Sequence, residues 1–117
     1  MNQFLYSKDG KVTVFLTESK GQKFKGVAKC SNTDEYKKEI GDRLAMCRAD
    51  LEIRKRDLEE VRRAKIILKE VINNLDKSQS KLWMQWYQDA CRVEKIHLEY
   101  KRNLLIQINN LSHGIIK

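Results

Sequence analysis

Proline is absent from this chain of 117 residues, and glycine occurs only five times. Long helices therefore meet few chemical obstacles. The three cysteines, Cys30, Cys47 and Cys91, are odd in number and form no C-x-x-C pair, which favours reduced, packed thiols over a disulfide framework or a zinc site. Only two histidines occur, His97 and His113, and neither has metal-ligand spacing to Cys, Asp or Glu. No apolar run approaches the ~18 residues of a membrane span, and Met1 to Phe15 lacks the basic start and apolar stretch of a secretory signal, so a cytoplasmic location is expected. There is no Walker loop, no G-x-G-x-x-G and no nucleophile elbow. The expectation is a protein with no cofactor, no metal and no catalytic residues, hence not an enzyme. Pairs such as Glu59-Glu60 are consecutive on a helix and point apart, as solvated carboxylates.

What remains is charge and periodicity. The chain carries 24 Lys and Arg against 16 Asp and Glu, a formal charge of +8, with 41% hydrophobic residues, 8% aromatics and a mean hydropathy of −0.65. That balance describes a folded basic chain rather than a disordered one. Lys11 to Thr17 is β-branched and roughly alternating, and Gln22 to Cys30 alternates polar with apolar or small residues, so both are predicted strands. The short connection Glu18-Ser-Lys-Gly21 makes them a β-hairpin, to which a turn at Lys8-Asp-Gly10 would add Gln3 to Tyr6 as a third strand.

After Cys30 the period becomes helical. Ser31, Asn32 and Thr33 are candidate N-caps, followed by acidic Asp34 and Glu35. Apolar residues then recur at Leu44, Cys47, Leu51, Leu58, Val61, Leu68, Ile72 and Leu75, a heptad-like seam interrupted by Arg54 and Lys65. Glu39/Arg43, Asp50/Arg54, Glu52/Arg56 and Glu59/Arg63 stand four apart with the acid first, the favourable order. A break at Asp76 to Gln79 precedes a second helix through Trp83, Trp86, Ala90, Val93, Ile96, Tyr100, Leu104, Ile108 and Leu111, expected to end near Gly114. His97 falls within that second seam, where it is read as a packed residue. The predicted class is α+β: one domain over 1–117, with a small N-terminal antiparallel sheet in 1–30 and two long antiparallel helices over 34–75 and 78–112.

A helix over 34–75 would be about 60 Å long, whereas a compact globule of this chain length is only about 35 Å across. Ile53, Ile66, Ile67, Leu105 and Ile106 fall outside the mutual seam and need cover. A homo-oligomer is the expected answer.

Cations beside aromatics supply the one chemistry in evidence, since they hold phosphates and stack bases without reacting with them. Arg48, Lys55, Arg62 and Lys69 recur every seven residues along one flank of the first helix, an arrangement that also suits a salt-bridged outer face. Trp83, Trp86 and Tyr87 gather at the start of the second helix, with Lys101 and Arg102 further along. Trp86 is expected in the core and Trp83 with an exposed ring. On this chemistry Arg56, Trp83 and Arg102 are candidate ligand-binding residues. Nucleic-acid binding is a weaker fit, because the basic residues are mixed with acids and no helix-turn-helix, basic zipper or RNP motif occurs.

The stretch Lys25-Gly-Val-Ala-Lys-Cys30, followed by Asp34, Tyr36, Gly41-Asp-Arg-Leu-Ala45 and Arg48-Ala49, resembles a pattern in small proteins of phages of Gram-positive bacteria. It is most similar to the phage anti-Thoeris sponge proteins, which sequester the cyclic nucleotide signals of bacterial defence. The likeness covers Lys11 to Asp50 in motif detail and the rest in plan. It implies dimers gathered into a hexamer in the host cytoplasm, glycocyclic ADP-ribose bound at dimer interfaces and, in some members, cyclic oligonucleotides (the anti-CBASS activity) on a three-fold axis. For that second site it implies Ala28 through its backbone amide and Lys29 through its charge. Lys29 stands where relatives can carry arginine, and lysine lacks the planar bidentate fork. The two residues would alternatively do no more than end an edge strand. The alternatives for the whole protein are a phage coiled-coil protein that inhibits a host protein, and a basic nucleic-acid binder.

Overall fold

The computed structural model describes residues 2–29 and 38–116. Its elements run β1 (Gln3–Tyr6), β2 (Val12–Ser19), β3 (Gln22–Lys29), α1 (Lys38–Asn73) and α2 (Lys81–Ile116). The architecture is α+β, a three-stranded antiparallel sheet of order β1-β2-β3 followed by two long helices. Cys30, the candidate caps Ser31, Asn32 and Thr33, the acidic Glu35, Tyr36 and the expected helix start at Asp34 lie outside the described residues.

Local chemistry explains the sheet. The turn between β1 and β2 closes through Gly10 N–H donating to the Ser7 carbonyl at 3.0 Å and Lys11 N–H donating to Asp9 Oδ1 at 3.0 Å. Hydrogen bonds from the Ser7 hydroxyl and then the Lys11 amide hold the Asp9 carboxyl below the usual carboxylate range. Ser19 pairs with Gln22, so the β2–β3 loop is only Lys20 and Gly21. Both have positive φ, 53° and 76°, the mark of a hairpin turn whose twist matches that of its strands.

The chain divides into two compact units, Met1–Ile53 with Lys101–Lys117, and Arg54–Tyr100. In the first, one sheet face is covered: Phe15 and Ala28 join Leu44, Ala45 and Ala49 of α1 in the core, with Phe4, Ile40, Ile108 and Leu111 packed around them. Phe4 and Phe15 meet at 4.8 Å between centroids, and Leu104 of α2 is also buried. Two small-residue runs from distant parts of the chain make this close approach possible. Gly26 lies against the backbone at Ala45 and Ala49, and Arg48 Nη1 donates to the Val27 carbonyl at 2.6 Å. The segments that carry the family resemblance, Lys25–Lys29 and Gly41–Ala49, are thus the segments that pack together.

In the second unit, residues later in α1 meet residues earlier in α2: Arg54 reaches His97, whereas Lys65 reaches Glu94 and Tyr87. The helices there pair antiparallel. Leu58 is fully buried, and the α1 seam residues Val61, Leu68 and Ile72 are half-buried, as the spacing predicts.

The face of α2 differs from the expected seam. Trp86, Val93, Ile96 and Tyr100 are exposed, Ile96 by 63%, while Trp83, Tyr87, Ala90, Glu94 and His97 are half-buried. The roles expected of the two tryptophans are reversed: Trp86 is 44% exposed and Trp83 is half-buried against its edge, 4.9 Å between centroids. The cause is polar. Lys65 and Arg54 face α2, where Glu94 and His97 accept from them, Arg54 also lying 4.0 Å from Asp57 of its own helix. α1 ends at Asn73 rather than Leu75, α2 begins at Lys81, and it continues through Gly114 to Ile116. A single glycine costs a helix about 1 kcal/mol, which does not by itself stop it. Of the apolar residues expected outside the seam, Ile66, Ile67, Leu105 and Ile106 are exposed and Ile53 is half-buried.

Candidate functional site

The α1 stretch of the second unit places Arg62, Lys65 and Lys69 on one flank, at the three- and four-residue steps that stack side chains along a helix. α2 sets Tyr87 and Glu94, seven residues apart, opposite them. With Ile66 these residues line an open groove of about 450 Å³. Glu94 uses both oxygens: Oε2 accepts from Arg62 Nε at 3.0 Å and Oε1 from Lys65 Nζ at 2.8 Å. Hydrogen bonds from Lys65 and then Arg62 hold the Glu94 carboxyl below its ordinary range, and the same bond raises the Lys65 ammonium above its own. The Lys65 ammonium also lies 5.7 Å from the Tyr87 ring centroid. Lys69 is exposed and forms no salt bridge among the described residues. The groove therefore offers three cations, one carboxylate, one aromatic ring and one aliphatic wall, which suits an anionic, partly aromatic ligand.

A second polar cluster closes the helix pair elsewhere in the same unit. Arg54 Nη1 lies 3.1 Å from His97 Nδ1, and its guanidinium covers the Tyr100 ring at 4.0 Å. An arginine can only donate, so Nδ1 is the acceptor side of this contact. His97 is thus a packed residue. Arg56, taken from sequence as a ligand contact, is half-buried and bonded to Asp57 at 2.9 Å through Nη2. Trp83 belongs to the same unit but sits roughly four turns of α2 from His97, so Arg56 and Trp83 are not brought together within one chain. Arg102 is exposed and belongs to the other unit.

Ala28 and Lys29 end the edge strand β3. Ala28 is fully buried and Lys29 is exposed. The two-residue loop makes Ser19 and Gln22 a hydrogen-bonded pair, and alternation along the antiparallel ladder makes Thr13 and Ala28 one too. The Ala28 amide consequently faces β2. Val27 and Lys29 direct theirs to the open edge, in agreement with the Val27 carbonyl receiving Arg48 from that side. At this strand end the amide available to a phosphate is that of Lys29, beside its own ammonium.

Arg62 and Lys69 belong to the cation repeat visible in sequence, and Tyr87 to the aromatic cluster. Lys65 and Glu94 were missed as site residues, although a lysine and a glutamate interrupting apolar seams are a signal of pairing across them. Among the described residues no group of three His, Cys, Asp or Glu side chains gathers as for a metal, and no helix is long and apolar enough to cross a membrane. No family model, curated protein or solved structure matches the chain.

Proposed function

We propose that this protein is a phage anti-defence sponge, which binds small cyclic nucleotide signals through their phosphates and holds them unaltered. The observation that carries the reading is the groove in which Arg62, Lys65 and Lys69 stand beside Tyr87. A sequestering protein lowers no barrier; it needs a concave, positively lined site on rigid elements, so that little ordering is lost on binding. Two paired helices supply rigid walls, Tyr87 supplies a ring for an adenine, and the cations supply phosphate contacts. Glycocyclic ADP-ribose in the groove, and cyclic oligonucleotides at the Lys29 strand end, are the ligands that the family resemblance adds. Affinity in both places falls with added salt, as charge neutralisation requires.

The chain is further proposed to act as a homo-oligomer of dimers, up to a hexamer, in the host cytoplasm. Ile66 and Ile67 of α1 and Leu82, Trp86, Val93 and Ile96 of α2 are exposed large apolar residues within one unit, more than isolated surface apolar residues account for. Assembly would also let Arg56 and Trp83, apart within their unit, meet across subunits, with Arg102 as a further contact there. The same exposed residues favour a second reading, a coiled-coil surface that inhibits a host protein.

Native mass spectrometry of the purified chain with a panel of cyclic nucleotides tests these together, since it reports subunit number and bound mass. Heating the complex then distinguishes the modes of action. A sponge releases an intact nucleotide that still activates its receptor, an enzyme releases an altered product, and a protein inhibitor releases neither.

A further inference from the structure

We propose that Glu94 is a built-in counter-anion of the groove, which the phosphate of a ligand must displace to reach Arg62 and Lys65. The proposal rests on the nucleotide-binding reading above and adds to it a residue that holds affinity down.

The geometry is that of an occupied anion site. Each Glu94 oxygen accepts one charge-assisted bond, from Arg62 Nε at 3.0 Å and from Lys65 Nζ at 2.8 Å, and the carboxylate is largely shielded, with 17% of its side chain accessible. Arg62 is mostly exposed, and so is accessible from the groove. Lys69 lines the same space without a salt bridge among the described residues. Three cations against one carboxylate leave a surplus of two positive charges. A ligand with a single phosphodiester brings one charge, and to reach Arg62 and Lys65 it must break two strong bonds and stay beside the carboxylate it displaced. A ligand with two phosphodiesters, or a pyrophosphate, replaces both bonds and sets its remaining charge against Lys69. Tyr87 and Ile66 receive the base in either case. Glu94 thus opposes either ligand while Lys69 favours the doubly charged one, so a repulsive element holds affinity down and the surplus cation sets the preference.

The test uses the full chain and two adenine probes of different charge, cyclic AMP and cyclic di-AMP, titrated by calorimetry at fixed salt. The wild type is expected to hold cyclic di-AMP at least about tenfold tighter than cyclic AMP. Glu94→Gln keeps the shape and removes the charge; it should tighten both probes by about tenfold, cyclic di-AMP no less than cyclic AMP. Lys69→Gln should weaken cyclic di-AMP and leave cyclic AMP nearly unchanged. If Glu94→Gln does not fold, Glu94→Ala serves instead: it also removes the carboxylate and should tighten both probes. Binding of cyclic di-AMP with an affinity unmoved by removal of the Glu94 charge overturns the proposal and leaves the nucleotide-binding reading standing. Failure of the wild type to bind any cyclic nucleotide overturns both.

Discussion

Gly26 of β3 lies so close to Ala45 of α1 that a methyl group built on it would stand 1.9 Å from the Ala45 carbonyl oxygen and 2.6 Å from the Ala49 amide nitrogen. Neither backbone atom can swing aside as a side-chain tip would. Gly26→Ala is therefore expected to destabilise the sheet–helix unit by about 2–4 kcal/mol, measured by urea unfolding with the denaturant slope checked for two-state behaviour. A wild-type midpoint would show that α1 does not sit on β3 as described.

Lys29 is exposed at the end of an edge strand, so reversing its charge disturbs no core. Lys29→Glu should abolish cyclic oligonucleotide binding there while the thermal midpoint stays within about 2 °C of wild type, as is usual for surface substitutions. Unchanged calorimetric affinity would remove Lys29 from the site.

Tyr87 lines the groove, whereas Trp83 meets Trp86 in a T-shaped pair. Loss of a stacked base costs about 1–3 kcal/mol. Tyr87→Ala should weaken nucleotide capture by that amount. Trp83→Ala should do the same only if a site between subunits uses it. Titrating both variants with one signal nucleotide separates the two locations: capture undiminished in Tyr87→Ala would exclude the groove.

The pH dependence of stability follows from one triad. Bonds from Lys65 and Arg62 depress the Glu94 carboxyl, so its contribution is present above the ordinary carboxylate range and disappears as pH falls through its lower folded-state value. Lys65 is raised by Glu94, and its contribution is complete below the ordinary lysine range and disappears as pH rises through its higher folded-state value. Thermal midpoints should form a plateau at neutral pH with an acid limb that is shallower in Glu94→Gln. Identical acid limbs in the two proteins would contradict the depressed carboxyl.

Cys47 is half-buried and its thiol lies 3.5 Å from Gln107 Oε1. Burial pushes its pKa up, Arg43 opposes this, and Asp50 adds to it. Thiolate is the reactive form, so iodoacetamide at mild alkaline pH should modify Cys47 several-fold more slowly than it modifies glutathione, with peptide mass mapping as the readout. Equal rates would place the thiol in solvent.

The legible parts were those set by short-range chemistry. Positive-φ tolerance at Gly10 and Gly21 marked both turns, alternation marked β2 and β3, and the α1 seam from Leu44 to Ile72 was correctly phased. α2 was misphased because an apolar template selects Val93, Ile96 and Tyr100 and passes over Glu94, which answers Lys65, although His97, which answers Arg54, does fall in the expected seam. The site was legible to the same degree. Arg62, Lys69 and Tyr87 stood in recognisable patterns, but their meeting in one groove depends on the phase of α2. Arg56, chosen for its charge, is engaged with Asp57.

The order of strands and helices was determined by the sequence alone, because turn geometry and helical period depend on neighbours a few positions away. The tertiary structure decided which side of α2 turns inward, and with it that Trp86 is exposed and that Glu94 stands between Arg62 and Lys65. That choice belongs to two helices together: Lys65 on one finds its acceptor, Glu94, on the other, and no stretch of either helix contains both residues.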